Sequence, residues 1–166
     1  MVNDKDEIVT YEGGLFLTFR LDQEIFGVPI ETVREVLDYV PVTRVPGAVD
    51  FLKGVVNLRG AVVPVADIRI KFNMKATVQT EKTCIIVVEV EASAEDGKIS
   101  VGVLADQVMA VAEVSSSDIQ VHPGMGTGVP SRYLRGLGQL GEDFFMMLDV
   151  NSIIHEDDEA LLLTAY

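Results

Sequence analysis

The chain has 166 residues, 48% of them hydrophobic, and its 26 Asp and Glu outweigh 13 Lys and Arg to give a net charge of −13 and a pI near 4.4. That length fits one domain, or two small ones sharing a core, and the acidity opposes nucleic-acid binding, which depends on Lys and Arg displacing counterions from phosphates. A membrane-spanning helix needs roughly 20 consecutive apolar residues, whereas charge, Gly or Pro interrupts every apolar run here.

In chain order, residues 1–14 (MVNDKDEIVTYEGG) are acidic and lack a basic region followed by an apolar stretch, so they read as a flexible tail rather than a signal peptide. From Leu15, LFLTFRL alternates Leu15, Leu17, Phe19 and Leu21 with other residues, predicting a strand that turns near Asp22 and Gln23 into a hairpin. Apolar spacing of three to four in ETVREVL predicts a short helix with Val33 and Val36 on one face, and DIRIKF predicts another. TCIIVVEV, ISVGVLA and FFMMLDV are short apolar runs of strand character, the first two joined by the polar turn EASAEDGK. The lone Cys84 opens one of these strands with no neighbour to lower its pKa, and reads as a buried thiol in a reducing, cytoplasmic setting. The last residues, 155–166 (HEDDEALLLTAY), form an acidic and apolar tail whose LLL suits a terminal helix.

The chain repeats itself. Phe51–Ile68 (FLKGVVNLRGAVVPVADI) aligns without a gap on Tyr133–Val150 (YLRGLGQLGEDFFMMLDV), matching Gly54 with Gly136, Asn57 with Gln139 and Asp67 with Asp149. Upstream, GVPIETVREVLDY aligns on GVLADQVMAVAEV, so that Gly27, Val33 and Val36 meet Gly102, Val108 and Val111. The extra residues of the second copy fall in the Ser-, Gly- and Pro-rich SSSDIQVHPGMGTGVPSR, a loop. Two copies of one strand-rich unit, about 15–72 and 83–154, predict a mainly β fold of two pseudo-symmetric small barrels, since closure disposes of edge strands.

No catalytic set emerges. His122 and His155 each lack a second His or Cys at ligand spacing. GMGTG has neither the spacing nor the following helix of a phosphate-binding loop. Asp67 and Asp149 end equivalent strands, a shared placement that points to turn or helix capping. No metal or cofactor is expected.

Residues present in one copy alone carry more information, because the common fold explains the shared ones. Glu35 meets Ala110 and Arg59 meets Gly141. Arg59-Gly60 reads either as a solvated hairpin tip or, between the apolar flanks VVNL and AVVPV, as an arginine anchoring a protein interface. Val33 and Val36 beside Glu35 read either as core or as a partner groove.

FGVPIETVREVL, VGVLADQVMAV, YLRGLGQLGEDFFMMLDV and above all KGVVNLRGAVVPVAD resemble the CheW family of chemotaxis coupling proteins, over Leu15 to Ile154. The resemblance implies two intertwined five-stranded SH3-like or OB-like barrels with a groove between them, a fold shared with the regulatory domain of the histidine kinase CheA and with CheV. It implies a non-enzymatic cytoplasmic scaffold joining the cytoplasmic tip of chemoreceptors to CheA, so that the membrane is met indirectly, at receptor arrays. With no room before Tyr166 for a receiver or kinase domain, a stand-alone adaptor is expected. By position, Val33, Glu35, Val36, Gly54, Asn57 and Arg59 match family positions tied to receptor and kinase coupling, and Val108 and Gly136 match a kinase-facing surface. The competing expectation is a small barrel that binds or hydrolyses a small ligand in the inter-barrel groove.

Overall fold

Alternation drives the first hairpin. In the computed structural model, which describes residues 12–91, 97–120 and 128–155, β1 (Gly14–Leu21) and β2 (Glu24–Pro29) pair antiparallel about Asp22 and Gln23. β1 sends Leu17, Phe19 and Leu21 to one buried cluster and Phe16 to another. The remaining strands are β3 (Val33–Asp38), β4 (Leu52–Leu58), β5 (Ala61–Ala66), β6 (Cys84–Glu91), β7 (Lys98–Ala105), β8 (Gln107–Val114), β9 (Leu134–Leu140) and β10 (Asp143–Leu148). Short helices α1 (Ile68–Lys71) and α2 (Val150–His155) follow β5 and β10.

One expected helix is absent. ETVREVL supplies only a 3-10 turn at Ile30–Thr32 before continuing as β3, which pairs along its length with β6. The β-branched residues and a ready partner strand outweigh the helical spacing. Val33 and Val36 nonetheless share a face, because a β-bulge at Arg34 sets Val33 opposite Val88 and Val36 opposite Ile86, both members of one core cluster. Cys84, the first residue of β6, is half-buried rather than buried, its thiol donating to the Lys82 carbonyl. The tail residues 1–11 and 156–166, the centre of EASAEDGK, and His122 with most of GMGTG lie outside the described residues.

The ten strands form two five-stranded sheets, ordered β8-β1-β2-β10-β9 and β3-β6-β7-β5-β4. Exchanging β1 to β5 with β6 to β10 turns one order into the other, so the sheets are copies that trade strands. The exchange is made by two parallel contacts, β2 on β10 through Phe26 and Gly27, and β5 on β7 through Val65 and Ala66. Each sheet curls into a barrel around inward residues from all five of its strands. Phe16, Ile25, Ala112, Phe145 and Leu140 meet inside the first, and Leu37, Val56, Val63, Ile85 and Leu104 inside the second. Isolated bridges, Thr43 to Val55 and Gln120 to Leu137, fasten equivalent edges.

The largest cluster lies between the barrels, where the rings of Phe19, Phe26, Phe72 and Tyr133 follow one another with centroids 6.2, 5.5 and 5.9 Å apart, the first pair stacked and the others tilted. Asp67 and Asp149 are each 4% exposed and hold equivalent corners. Their N–H groups donate to the carbonyls of Phe51 and Tyr133 at 2.7 and 2.8 Å. Their carboxylates accept from the first turns of α1 and α2, through Arg69 N and Ser152 N, as the sequence predicts. Beyond that the copies differ: Asp67 adds the hydroxyl and N–H of Thr77, and Asp149 an ion pair with Arg135.

Candidate functional site

The hairpin between β4 and β5 has two loop residues, and both take positive φ, Arg59 at 52° and Gly60 at 88°. That is the φ pattern of a type I′ turn, whose twist matches the strands it joins. Glycine enters the left-handed region freely, whereas a side chain clashes there with the following carbonyl. In the second copy the equivalent position is Gly141 at φ 62°. The fold thus asks for a left-handed residue at this tip, glycine fills it at no steric cost in one copy, and arginine fills it against the backbone's preference in the other. Non-glycine residues held in such a conformation concentrate at functional sites.

From that tip the Arg59 guanidinium reaches across to β3 and donates to both carboxylate oxygens of Glu35, at 2.5 and 3.4 Å. The Arg34 bulge is what makes the meeting possible. It turns Glu35 to the inner side of the sheet, opposite Val87 of the barrel interior, with Leu37 following on the same side. Glu35 and Arg59 therefore span the mouth of the second barrel. Below them is an open recess of ≈ 310 Å³ floored by Leu58, Val63 and Val87 and rimmed by Arg34 and Ser100. The Arg59 side chain keeps 75% of its surface in solvent and that of Glu35 keeps 26%. Hydrogen bonding to Arg59, and secondarily its positive charge and that of Arg34, hold the Glu35 carboxyl below its ordinary value of 4.5. Arg34 is itself paired with Glu89 at 2.6 Å.

The remaining sequence-chosen residues divide by location. Asn57, exposed, belongs to the same corner: its Oδ1 accepts from Gly60 N at 3.0 Å. Val36, 42% exposed, lies on the opposite face of β3, at the rim of the inter-barrel core, and Val62 beside the hairpin is 49% exposed. Val33 and Val108 pack against the inter-barrel core. Gly54 and Gly136 are buried at equivalent bulges, with φ 155° and 141°. A Cβ on Gly54 would lie 2.1 Å from the Thr43 carbonyl oxygen, and one on Gly136 2.8 Å from Ile119 Cγ2. These two glycines let the neighbouring chain close onto β4 and β9. Arg34, the bulge residue, escaped the sequence reading because its role follows from the ladder register, which a single sequence does not display.

The ion pair across the second barrel's mouth is not repeated in its counterpart. There Met109, Ala110 and Gly141 replace Arg34, Glu35 and Arg59, and the buried Thr18 hydroxyl exchanges hydrogen bonds with the Ala110 backbone. Val111 and Phe144, equivalents of Val36 and Val62, are 51% and 50% exposed. The repeat consequently presents two surfaces of one shape and unlike chemistry. Between the barrels the space lined by Phe19, Val28, Ile86 and Leu148 measures only ≈ 10 Å³, too little for a small ligand. Among the described residues no three His, Cys, Asp or Glu side chains are grouped to hold a metal, and no helix is long and apolar enough to cross a membrane.

In the family comparison the CheW-like domain model matches residues 15–158. This chain belongs to the CheW family. It is 35% identical over 150 residues to the chemotaxis protein CheW of Klebsiella aerogenes, covering 90% of this chain and 87% of the relative. It is 31% identical to the chemotaxis protein CheW of Rhizobium meliloti, covering 90% and 93%. The solved structure of the scaffolding protein TtCheW from Thermoanaerobacter tengcongensis superposes with a TM-score of 0.76 at 24% identity, covering 86% of this chain and 92% of that one, and carries the same fold. Its intertwined barrels are those of the CheW fold.

Proposed function

We propose that this CheW protein is a non-catalytic adaptor that couples the cytoplasmic tips of chemoreceptors to the regulatory domain of the histidine kinase CheA, and that receptors bring it to the membrane. The observation that carries this reading is Arg59: a long cation held in a left-handed turn that the twin hairpin gives to glycine, exposed over an apolar-floored recess and oriented by Glu35. Arg59, Glu35 and the neighbouring Val36 form the docking corner, an exposed apolar residue flanked by an oriented charge pair, which is the composition of a recognition surface. Val33, Gly54, Val108 and Gly136 serve it from within, by setting strand register and barrel packing.

A non-enzymatic role is supported by the occupation of the buried acids. Asp67 caps α1, Asp149 caps α2 and pairs with Arg135, and the partly buried Asp106 receives Arg69 at 2.7 Å. Each is engaged in holding elements together rather than poised over a cavity. The deciding experiment reconstitutes purified receptor fragment, CheA and this protein and follows kinase autophosphorylation. Receptor-dependent activation that requires the adaptor is the expected result, and activation that is unchanged without it refutes the reading.

A further inference from the structure

The turn that carries Arg59 has a second support, in a side chain with a different duty from the ion pair. Asn57 ends the outward-facing row of β4 opposite Val62, and its Oδ1 accepts from the N–H of Gly60, three residues on. That bond closes a ring over Leu58 and Arg59 and fixes the residue after the arginine. The second copy supplies the control. There Gln139 replaces Asn57 and Glu142, without a positive φ, replaces Gly60; no such bond is present among the described residues, and Gly141 needs none, since glycine takes φ 62° unaided and has no side chain to aim. The side-chain clasp and the left-handed arginine are thus present together in one hairpin and absent together from the other.

We infer that Asn57 is a positioning residue: by clasping Gly60 N–H it keeps Arg59 in the left-handed conformation and so aims the guanidinium at Glu35. Asn side chains form such local turns because their short amide reaches backbone N–H groups a few residues ahead, while the extra methylene of Gln costs that reach. The inference rests on the reading of Arg59 as a docking residue, but the two NMR readouts of its test contain no partner protein and are independent of that reading's outcome.

The test compares the wild type with Asn57→Ala, Asn57→Gln and Asn57→Asp by NMR, reading Gly60 amide exchange and the side-chain carbon titration of Glu35. Loss of one hydrogen bond speeds exchange of the Gly60 amide by about fivefold, and in Asn57→Ala and Asn57→Gln the Glu35 midpoint moves up toward its ordinary value. Asn57→Asp retains the acceptor and restores Gly60 protection. Unchanged Gly60 exchange in Asn57→Ala overturns the inference, and so does faster exchange with an unmoved Glu35 midpoint, because the clasp then does not control the arginine. A last arm measures CheA binding: Asn57→Ala weakens it when Arg59 is present and has no effect in an Arg59→Ala background. Equal weakening in both backgrounds shows that Asn57 touches the partner directly, and overturns the positioning role.

Discussion

Arg59 and Gly141 occupy one backbone position in twin hairpins, at φ 52° and 62°, and only the arginine has a carboxylate to meet, Glu35 across the barrel mouth. The pairing separates what the fold requires, a left-handed residue, from what it does not, a cation.

Arg59→Gly and Arg59→Glu should therefore both fold. Glycine relieves the strained turn while removing the ion pair, so its unfolding temperature stays close to that of the wild type. Glutamate puts like charges together and lowers it slightly. Either change should abolish receptor-dependent kinase activation, and reversal of a desolvated interface charge weakens binding by roughly thirtyfold to a thousandfold. Unfolding of Arg59→Gly in thermal melts, or full activation by the folded Arg59→Glu variant, contradicts the assignment.

Glu35→Lys combined with Arg59→Glu restores attraction within the pair while leaving both charges reversed toward a partner. The double variant should regain stability relative to the two single ones, and a double-mutant cycle in thermal unfolding reports this as coupling. Kinase activation should remain lost if the partner reads the charges. Recovery of activation would mean that the pair acts only through its own attraction.

Glu35 is held below its ordinary value of 4.5, chiefly by the Arg59 hydrogen bond. A depressed folded-state pKa contributes stability that is fully present above the unfolded value and is lost as pH falls through the folded one. The corner should stay paired from neutral pH down to about 4.5 and come apart below it, and Arg59→Ala should return the Glu35 midpoint to the ordinary range. Carbon-detected titration of Glu35 measures both.

Gly54→Ala should destabilise the protein by about 2 to 4 kcal/mol, since its Cβ would press on a backbone carbonyl that cannot swing aside, at a φ that L-residues avoid. Gly136→Ala should cost less, because the nearest atom is a side-chain methyl of Ile119. Denaturant unfolding at matched pH gives both values. The reverse order would show that the two bulges relax differently from their geometry.

Adding a chelator should leave the thermal transition in place, given that no three potential ligands converge among the described residues. A large fall in unfolding temperature would reveal a site elsewhere in the chain.

Much of this was legible in the sequence because duplication acts as an internal comparison. Gly54 with Gly136 and Asp67 with Asp149 aligned in letters, and they superimpose in role, as bulges and as caps. The two residues that one copy alone carries, Glu35 and Arg59, are the two that the structure pairs. What the letters could not show was register. ETVREVL has helical spacing, yet the bulge at Arg34 lets a strand present Val33 and Val36 on one face, so the right neighbours were inferred from the wrong element. The bulge also aims Glu35 inward, and it arises from pairing with β6 some fifty residues away, information that a local pattern does not contain. Exposure was equally hidden. Val36 and Val33 differ in burial only because one lies at the rim of a core assembled from both repeats.

The strand exchange between barrels has a consequence for how the chain is made. β2 leaves the ribosome long before its second neighbour, β10, the last of the ten described strands. The sheet to which β2 belongs therefore waits, with β2 open along one edge, until synthesis has passed Leu148. Such distant pairings slow folding and expose unpaired edges in the interval. A nascent chain arrested after Phe72 holds a full repeat in sequence but lacks the β7 partner for β5 as well as the β10 partner for β2. It should remain protease-sensitive on the ribosome, and resistance should arrive in one step once both repeats have emerged.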